Sequence, residues 1–114
     1  MRAQRPADRD NGGMRILEQE EIHRRLADLP EWTGGAEELT RVFAAGDFPA
    51  AIGLVDRVAV AAEEMNHHPD IDIRWRTVRF RLSTHSAGGV TELDLELAGR
   101  IEALIGGTAA AAAG

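Results

Sequence analysis

The sequence predicts an α+β fold: two layers in the order α-β-β-α-β-β-α, a four-stranded antiparallel sheet with helices packed on one face. Three observations carry that expectation. Three segments repeat apolar residues at helical spacing. Two others alternate with period two. Prolines, glycines and capping residues fall at the joints between them. Elements in this order bury one sheet face under helices and leave the other to solvent or a partner.

The first helix is expected over 18–29. Ile22, Leu26 and Leu29 follow an i, i+4, i+7 pattern, and Glu18, Glu20 and Glu21 fill the electropositive first turn. Pro30 stops it. Trp32-Thr33 then opens a hairpin that turns at Gly34-Gly35 and returns over Leu39 to Ala44. Asp47 is placed to cap a second helix, with Phe48 and Pro49 in its first turn. That helix runs to about Asn66, with Ile52, Val55, Ala59, Ala62 and Met65 as its apolar stripe. Pro69 disfavours helix at His68.

The period now changes to two. Ile71, Ile73 and Trp75 alternate with Asp72, Arg74 and Arg76; Val78, Phe80 and Leu82 alternate with Arg79 and Arg81. The phase slips at Arg76-Thr77, as a tight turn between antiparallel strands requires. The implied register pairs Trp75 with Val78, Ile73 with Phe80 and Ile71 with Leu82, which puts Trp75 in the core. On the other face Arg74 opposes Arg79 and Asp72 opposes Arg81. Extended further, the register brings His68 and His85 together at the open end of the hairpin. Thr91 caps the last helix with Asp94 as its capping-box partner. Leu93, Leu97, Ala98, Ile101 and Leu104 or Ile105 form its stripe, and Gly106-Gly107 ends it.

Residues 1–13 are expected to be a disordered leader, 14–105 the folded domain and 106–114 a frayed tail. With 114 residues and 44% apolar content, the chain makes one small domain with a modest core. Its lack of cysteine excludes disulfides, thiolate zinc sites and cysteine nucleophiles, and suits a cytoplasmic location. No apolar run approaches the roughly 20 residues that span a bilayer, so no membrane partner is expected. The net charge of −6 argues against nucleic acid as a partner.

Three of the four histidines, His67, His68 and His85, fall at element ends within nineteen residues. Imidazole gives or takes a proton near neutral pH without a large shift. Three imidazoles can bind zinc, but adjacent residues rarely aim both rings at one ion, and HxH or HxxxH spacing is absent. Ser83 or Ser86 beside His85 suggests a hydrolase, without any nucleophile elbow to support it. General acid–base catalysis asks for less geometry, since two or three imidazoles around one pocket can share it. The plain alternative is that these are capping or surface histidines. His23, in the first helix, is given no role.

The pattern Glu63, three residues, His67-His68-Pro69, five residues, Trp75, nine residues, His85, eight residues, Asp94 resembles the signature of pterin-4a-carbinolamine dehydratases. The likeness extends over most of 15–105, including Leu29-Pro30-x-Trp32 and Ser83-Thr84-His85. What it implies is dehydration of 4a-hydroxytetrahydropterin to quinonoid dihydropterin, which recycles the pterin of aromatic amino-acid hydroxylases. It implies His67, His68 and His85 as the catalytic set, with pterin as substrate and no metal or other cofactor. It also implies a homodimer or homotetramer. Supporting roles then fall to Glu63, as an orienting partner one helical turn before His67, and to Asp94, which can hold the pocket as well as cap its helix. Trp32 can stack on the pterin or pack in the core, and Ser83 and Thr84 can bond its edge or simply close the strand. A non-catalytic assembly or regulatory module on the same fold is the competing expectation.

Overall fold

In the computed structural model, residues 15–111 are described. The expected leader lies outside them. The elements are α1 (Gln19–Leu26), β1 (Thr33–Gly34), β2 (Leu39–Ala44), α2 (Phe48–Met65), β3 (Asp70–Arg74), β4 (Thr77–Leu82) and α3 (Glu92–Gly106). The four strands form one antiparallel sheet in the order β1-β2-β4-β3. This is the α+β architecture the periodicity predicts.

One sheet face is dry. Val78, Phe80 and Leu82 of β4 and Leu39 and Phe43 of β2 pack against Ile22 of α1, Leu54 and Val58 of α2, and Leu97, Ala98 and Ile101 of α3. Thr77, Arg79 and Arg81 alternate with them on the other face, as a period of two demands. No described helix is long and apolar enough to cross a membrane.

Capping side chains set the starts of α2 and α3. Asp47 accepts the Ala50 N–H at 2.8 Å, with Pro49 in the first turn of α2. Helix α1 is shorter than expected. Its last turn tightens into i→i+3 bonds, Ala27 N–H to Arg24 O and Leu29 N–H to Leu26 O, and the chain leaves the helix before Pro30. The buried stripe of α2 is Ala51, Leu54, Val58, Ala61 and Ala62, one residue off the expected one. A single residue rotates a helix face by about 100°. Ala51, Ala61 and Ala62 sit on the buried face, while the bulkier Ile52 and Val55 are only half-buried.

Two expectations about the β3–β4 hairpin are overturned. Arg74 pairs with Thr77, so the turn is Trp75-Arg76 rather than Arg76-Thr77. Moving the register by two residues keeps the paired side chains of β3 and β4 on their predicted faces but changes their neighbours. Ile73 faces Val78 and Ile71 faces Phe80. Asp72 lies opposite Arg79 and Asp70 opposite Arg81, two favourable pairs in place of the expected Arg74–Arg79 clash. Trp75 is not in the core. It occupies a left-handed turn position at φ 54°, is 70% exposed, and lies under the Arg76 guanidinium at 4.5 Å. Trp75→Ala is expected to cost less than about 1 kcal/mol, the scale of an exposed cation–π contact. Urea denaturation checks this; a loss above about 3 kcal/mol belongs to a buried aromatic.

The expected tail is tied to the sheet as far as the described residues reach, to Ala111. Gly46 N–H bonds Ala109 O at 2.8 Å, Ala111 N–H bonds Ala44 O at 2.9 Å, and Ala45 bridges Ala110. These bonds continue the ladder past the end of β2, which the alanine-rich composition concealed.

Candidate active site

The end of α2 fixes two histidines in opposite environments. Asn66 turns left-handed at φ 51°. Its N–H bonds Glu63 O at 3.1 Å, and the His67 N–H bonds Ala62 O at 3.0 Å. This pair of bonds is a Schellman motif, with asparagine at the position glycine usually takes. The reversal tucks His67 into the domain and leaves His68 58% exposed.

The His67 ring meets α3. Its Nε2 lies 2.6 Å from Asp94 Oδ1, and Asp94 is fully buried. The other carboxylate oxygen accepts two donors: the Thr84 hydroxyl at 2.8 Å and the Thr91 N–H at 2.9 Å. The last contact completes the capping box of α3. Asp94 thus holds its helix start and a histidine at once, in the first turn where a negative charge is favoured. Toward an ionised carboxylate, which can only accept, a neutral His67 would present an Nε2–H.

His68 is held from its own helix. Its Nε2 lies 2.9 Å from Glu63 Oε1. Glu63 therefore supports His68, and not His67 as helical i, i+4 spacing suggests. The reason is Asn66: once the chain turns left-handed, His67 no longer sits one helical turn above Glu63.

His85 opens the turn 85–88 after β4 and is exposed. The expected His68–His85 opposition moves with the corrected register, which aligns His67 with Thr84 instead. The hydrogen bonds agree, since both side chains end on Asp94. His85 therefore follows directly on the Asp94 network. Its loop is clamped to the body: Thr84 bridges Gly89, Val90 N–H bonds Ala36 O at 2.9 Å, and Leu17 N–H bonds Val90 O at 2.9 Å. Gly88 takes φ +84°, and a Cβ on Gly89 would lie 2.7 Å from Ala36 O. Both positions need glycine.

Other expected site residues fall elsewhere. Trp32 is buried in the core, and its indole N–H donates to Glu102 Oε1 at 2.8 Å. Glu102 lies eight residues beyond Asp94, roughly 12 Å along α3, so the structure does not bring Trp32 to the histidines as a stacking platform. Thr84 is buried and its single proton goes to Asp94, so it supports the site from behind rather than bonding a ligand edge. Ser83 is half-buried at the end of β4, with no side-chain hydrogen bond among the described residues. Thr91 joins the site as more than a cap, through a 2.7 Å hydroxyl contact with Thr84. Its signal in the sequence was the capping box itself, since Asp94 is the box partner.

Two concavities lie away from this cluster. A groove of about 490 Å³ between α2 and α3 is lined by Val60, Ala61 and Leu104 among others. Another of about 430 Å³ lies on the open sheet face around Arg74, Arg79 and Arg81. Neither holds a histidine. No group of three or more histidine, aspartate or glutamate side chains suited to a metal ion occurs among the described residues. The chemistry on offer is proton transfer: two imidazole–carboxylate pairs, one buried and one exposed, with a third imidazole on the adjoining loop.

Fold and site together define an α+β domain built around histidine–carboxylate pairs at the mouth of a β-hairpin. The chain belongs to the pterin 4 alpha carbinolamine dehydratase family, whose family model matches residues 15–104. A Nocardia farcinica protein named for pterin-4-alpha-carbinolamine dehydratase is 60% identical over 89 residues, covering 78% of this chain and 94% of that protein. A Mycobacteroides abscessus protein named likewise is 50% identical over 93 residues, covering 82% and 99%. Among solved structures, a transcriptional coactivator/pterin dehydratase from Brucella melitensis superposes with a TM-score of 0.74. It is 36% identical and covers 78% of this chain and 97% of that one. A pterin dehydratase-like protein described as a RuBisCO assembly factor in the alpha-carboxysome gives a TM-score of 0.55 at 28% identity, covering 66% and 87%.

Proposed function

We propose that this chain dehydrates 4a-hydroxytetrahydropterin to quinonoid dihydropterin by general acid–base catalysis, with His67, His68 and His85 as the catalytic set. The observation that carries this reading is the buried His67–Asp94 pair beside the exposed His68–Glu63 pair. The reaction needs one proton delivered and one removed. An imidazolium protonates the C4a hydroxyl, and the C–O bond breaks with release of water. The lone pair of the adjacent ring nitrogen forms the new C=N bond, and a neutral imidazole takes that nitrogen's proton. Protons and electrons balance without a metal, nucleophile or redox cofactor, so pterin is substrate only. The exposed His68 and His85 are open to a bound pterin, and Glu63 orients the first of them. The role this supports is recycling the pterin of aromatic amino-acid hydroxylases.

The RuBisCO assembly factor with the same fold favours a second reading, a non-catalytic assembly module. Measured elimination of water from 4a-hydroxytetrahydropterin separates the two. The dehydratase reading predicts acceleration by the wild-type chain. It also predicts that His68→Ala and His85→Ala each remove most of it, about tenfold or more, with the fold intact by circular dichroism. Full activity in both variants sinks the assignment of the site.

A further inference from the structure

We propose that the hydroxyls of Thr84 and Thr91 are positioning groups that fix the tautomer of His67 through Asp94. Asp94 is fully buried, and Thr84 and Thr91 are buried with it. As an ion its carboxylate only accepts. Thr84 has a single hydroxyl proton, and Asp94 Oδ2 takes it at 2.8 Å. The 2.7 Å contact between the two threonine hydroxyls must then run from Thr91 to Thr84. The Thr91 oxygen in turn accepts the Leu93 N–H at 3.2 Å. Every proton in the chain therefore points one way, from the start of α3 to Oδ2.

With Oδ2 saturated by Thr84 and the Thr91 N–H, Oδ1 remains for His67. The carboxylate is held at both ends and cannot turn. His67 carries its proton on Nε2, which leaves Nδ1 as the acceptor of the ring; Nδ1 has no protein partner among the described residues. The consequence for turnover rests on the dehydratase reading: Nδ1 of His67 takes the proton of the pterin ring nitrogen, and Asp94 stabilises the imidazolium that forms. The group that protonated the leaving hydroxyl then regains its proton from solvent.

Nitrogen-15 NMR of the histidine-labelled full chain at neutral pH tests this without substrate. Wild-type His67 is expected as the Nε2–H tautomer. Thr84→Val should give a mixture of tautomers and move the titration of His67, and Thr84→Ser should restore both. Thr91→Val should shift them in the same sense by less, with rescue by Thr91→Ser, and it decides the matter if Thr84→Val does not fold. An Nδ1–H tautomer in the wild type overturns the proposal. So does a folded valine variant whose His67 tautomer and titration are unchanged. On 4a-hydroxytetrahydropterin, Thr84→Val should lose about tenfold or more in kcat, the scale on which outer hydrogen-bond partners act. A wild-type chain that does not turn over this substrate refutes the dehydratase reading, while the NMR result still decides the role of the threonines.

Discussion

Asp94→Asn is expected to lower dehydration of 4a-hydroxytetrahydropterin by roughly 10²- to 10⁴-fold, the range for losing a positioned acid–base group or its correct tautomer. The change is nearly isosteric, so its effect is on hydrogen bonding. Wild-type Asp94 accepts from His67 Nε2 on one oxygen and from Thr84 and Thr91 on the other. An asparagine must present its NH₂ to one of those two sides. Facing His67, it forces Nε2 to become an acceptor and moves the ring proton to Nδ1. Facing Thr91 and Thr84, it sets a donor against donors in a fully buried place. The capping box is weakened as well, and a stability loss of about 2 kcal/mol should accompany the kinetic one. Single-turnover kinetics alongside thermal unfolding separates the two effects. A well-folded Asp94→Asn chain with wild-type rate would show that His67 is not part of the catalytic set.

Glu102→Ala should cost the fold about 2–3 kcal/mol, the scale of leaving a largely buried guanidinium without its partner. Arg41 is buried, and its Nε and one terminal nitrogen each lie 2.9 Å from a Glu102 oxygen. Trp32 adds its indole N–H to the same carboxylate. This cluster ties the β1–β2 side of the sheet to α3, which carries Asp94. The Arg41 hydrogen bond holds the Glu102 carboxyl below its ordinary value of 4.5, against the opposing effect of burial. A lowered acid stabilises the fold above its unfolded value and loses that contribution as the pH falls through its folded one. The gap between wild type and Glu102→Gln in urea denaturation should therefore be full at neutral pH and close on acidification below about pH 4.5. A gap independent of pH would show that the charge of Glu102 does not stabilise the fold.

Local signals in the sequence went far. Periodicity and caps fixed all seven elements and placed β2 and the starts of α2 and α3 where the structure has them. What failed was set by single backbone choices or by distant partners. Trp75-Arg76 makes a two-residue turn with no glycine or asparagine to mark it, so the phase slip alone places the turn one residue late. That error put Trp75 in the core and His85, rather than Thr84, across from the helix end. Asn66 was visible as a residue that tolerates a left-handed cap. Taking it as ordinary helix gave Glu63 to the wrong histidine. The Arg41–Glu102–Trp32 cluster joins residues 61 and 70 positions apart, and no local pattern announces it. Among the candidate site residues, the cluster of three histidines is visible in the sequence, and so is Asp94 as the capping-box partner of Thr91. The contact between His67 and Asp94 required the fold.

The most direct test of the account is a stopped-flow trace of 4a-hydroxytetrahydropterin decay with the purified full chain, run beside buffer and beside His67→Ala. The wild type is expected to accelerate conversion to quinonoid dihydropterin in proportion to its concentration, and His67→Ala, folded by its amide spectrum, to lose about 10²-fold or more of that acceleration. Decay at the buffer rate with the wild type, or an undiminished rate with the folded variant, would contradict it.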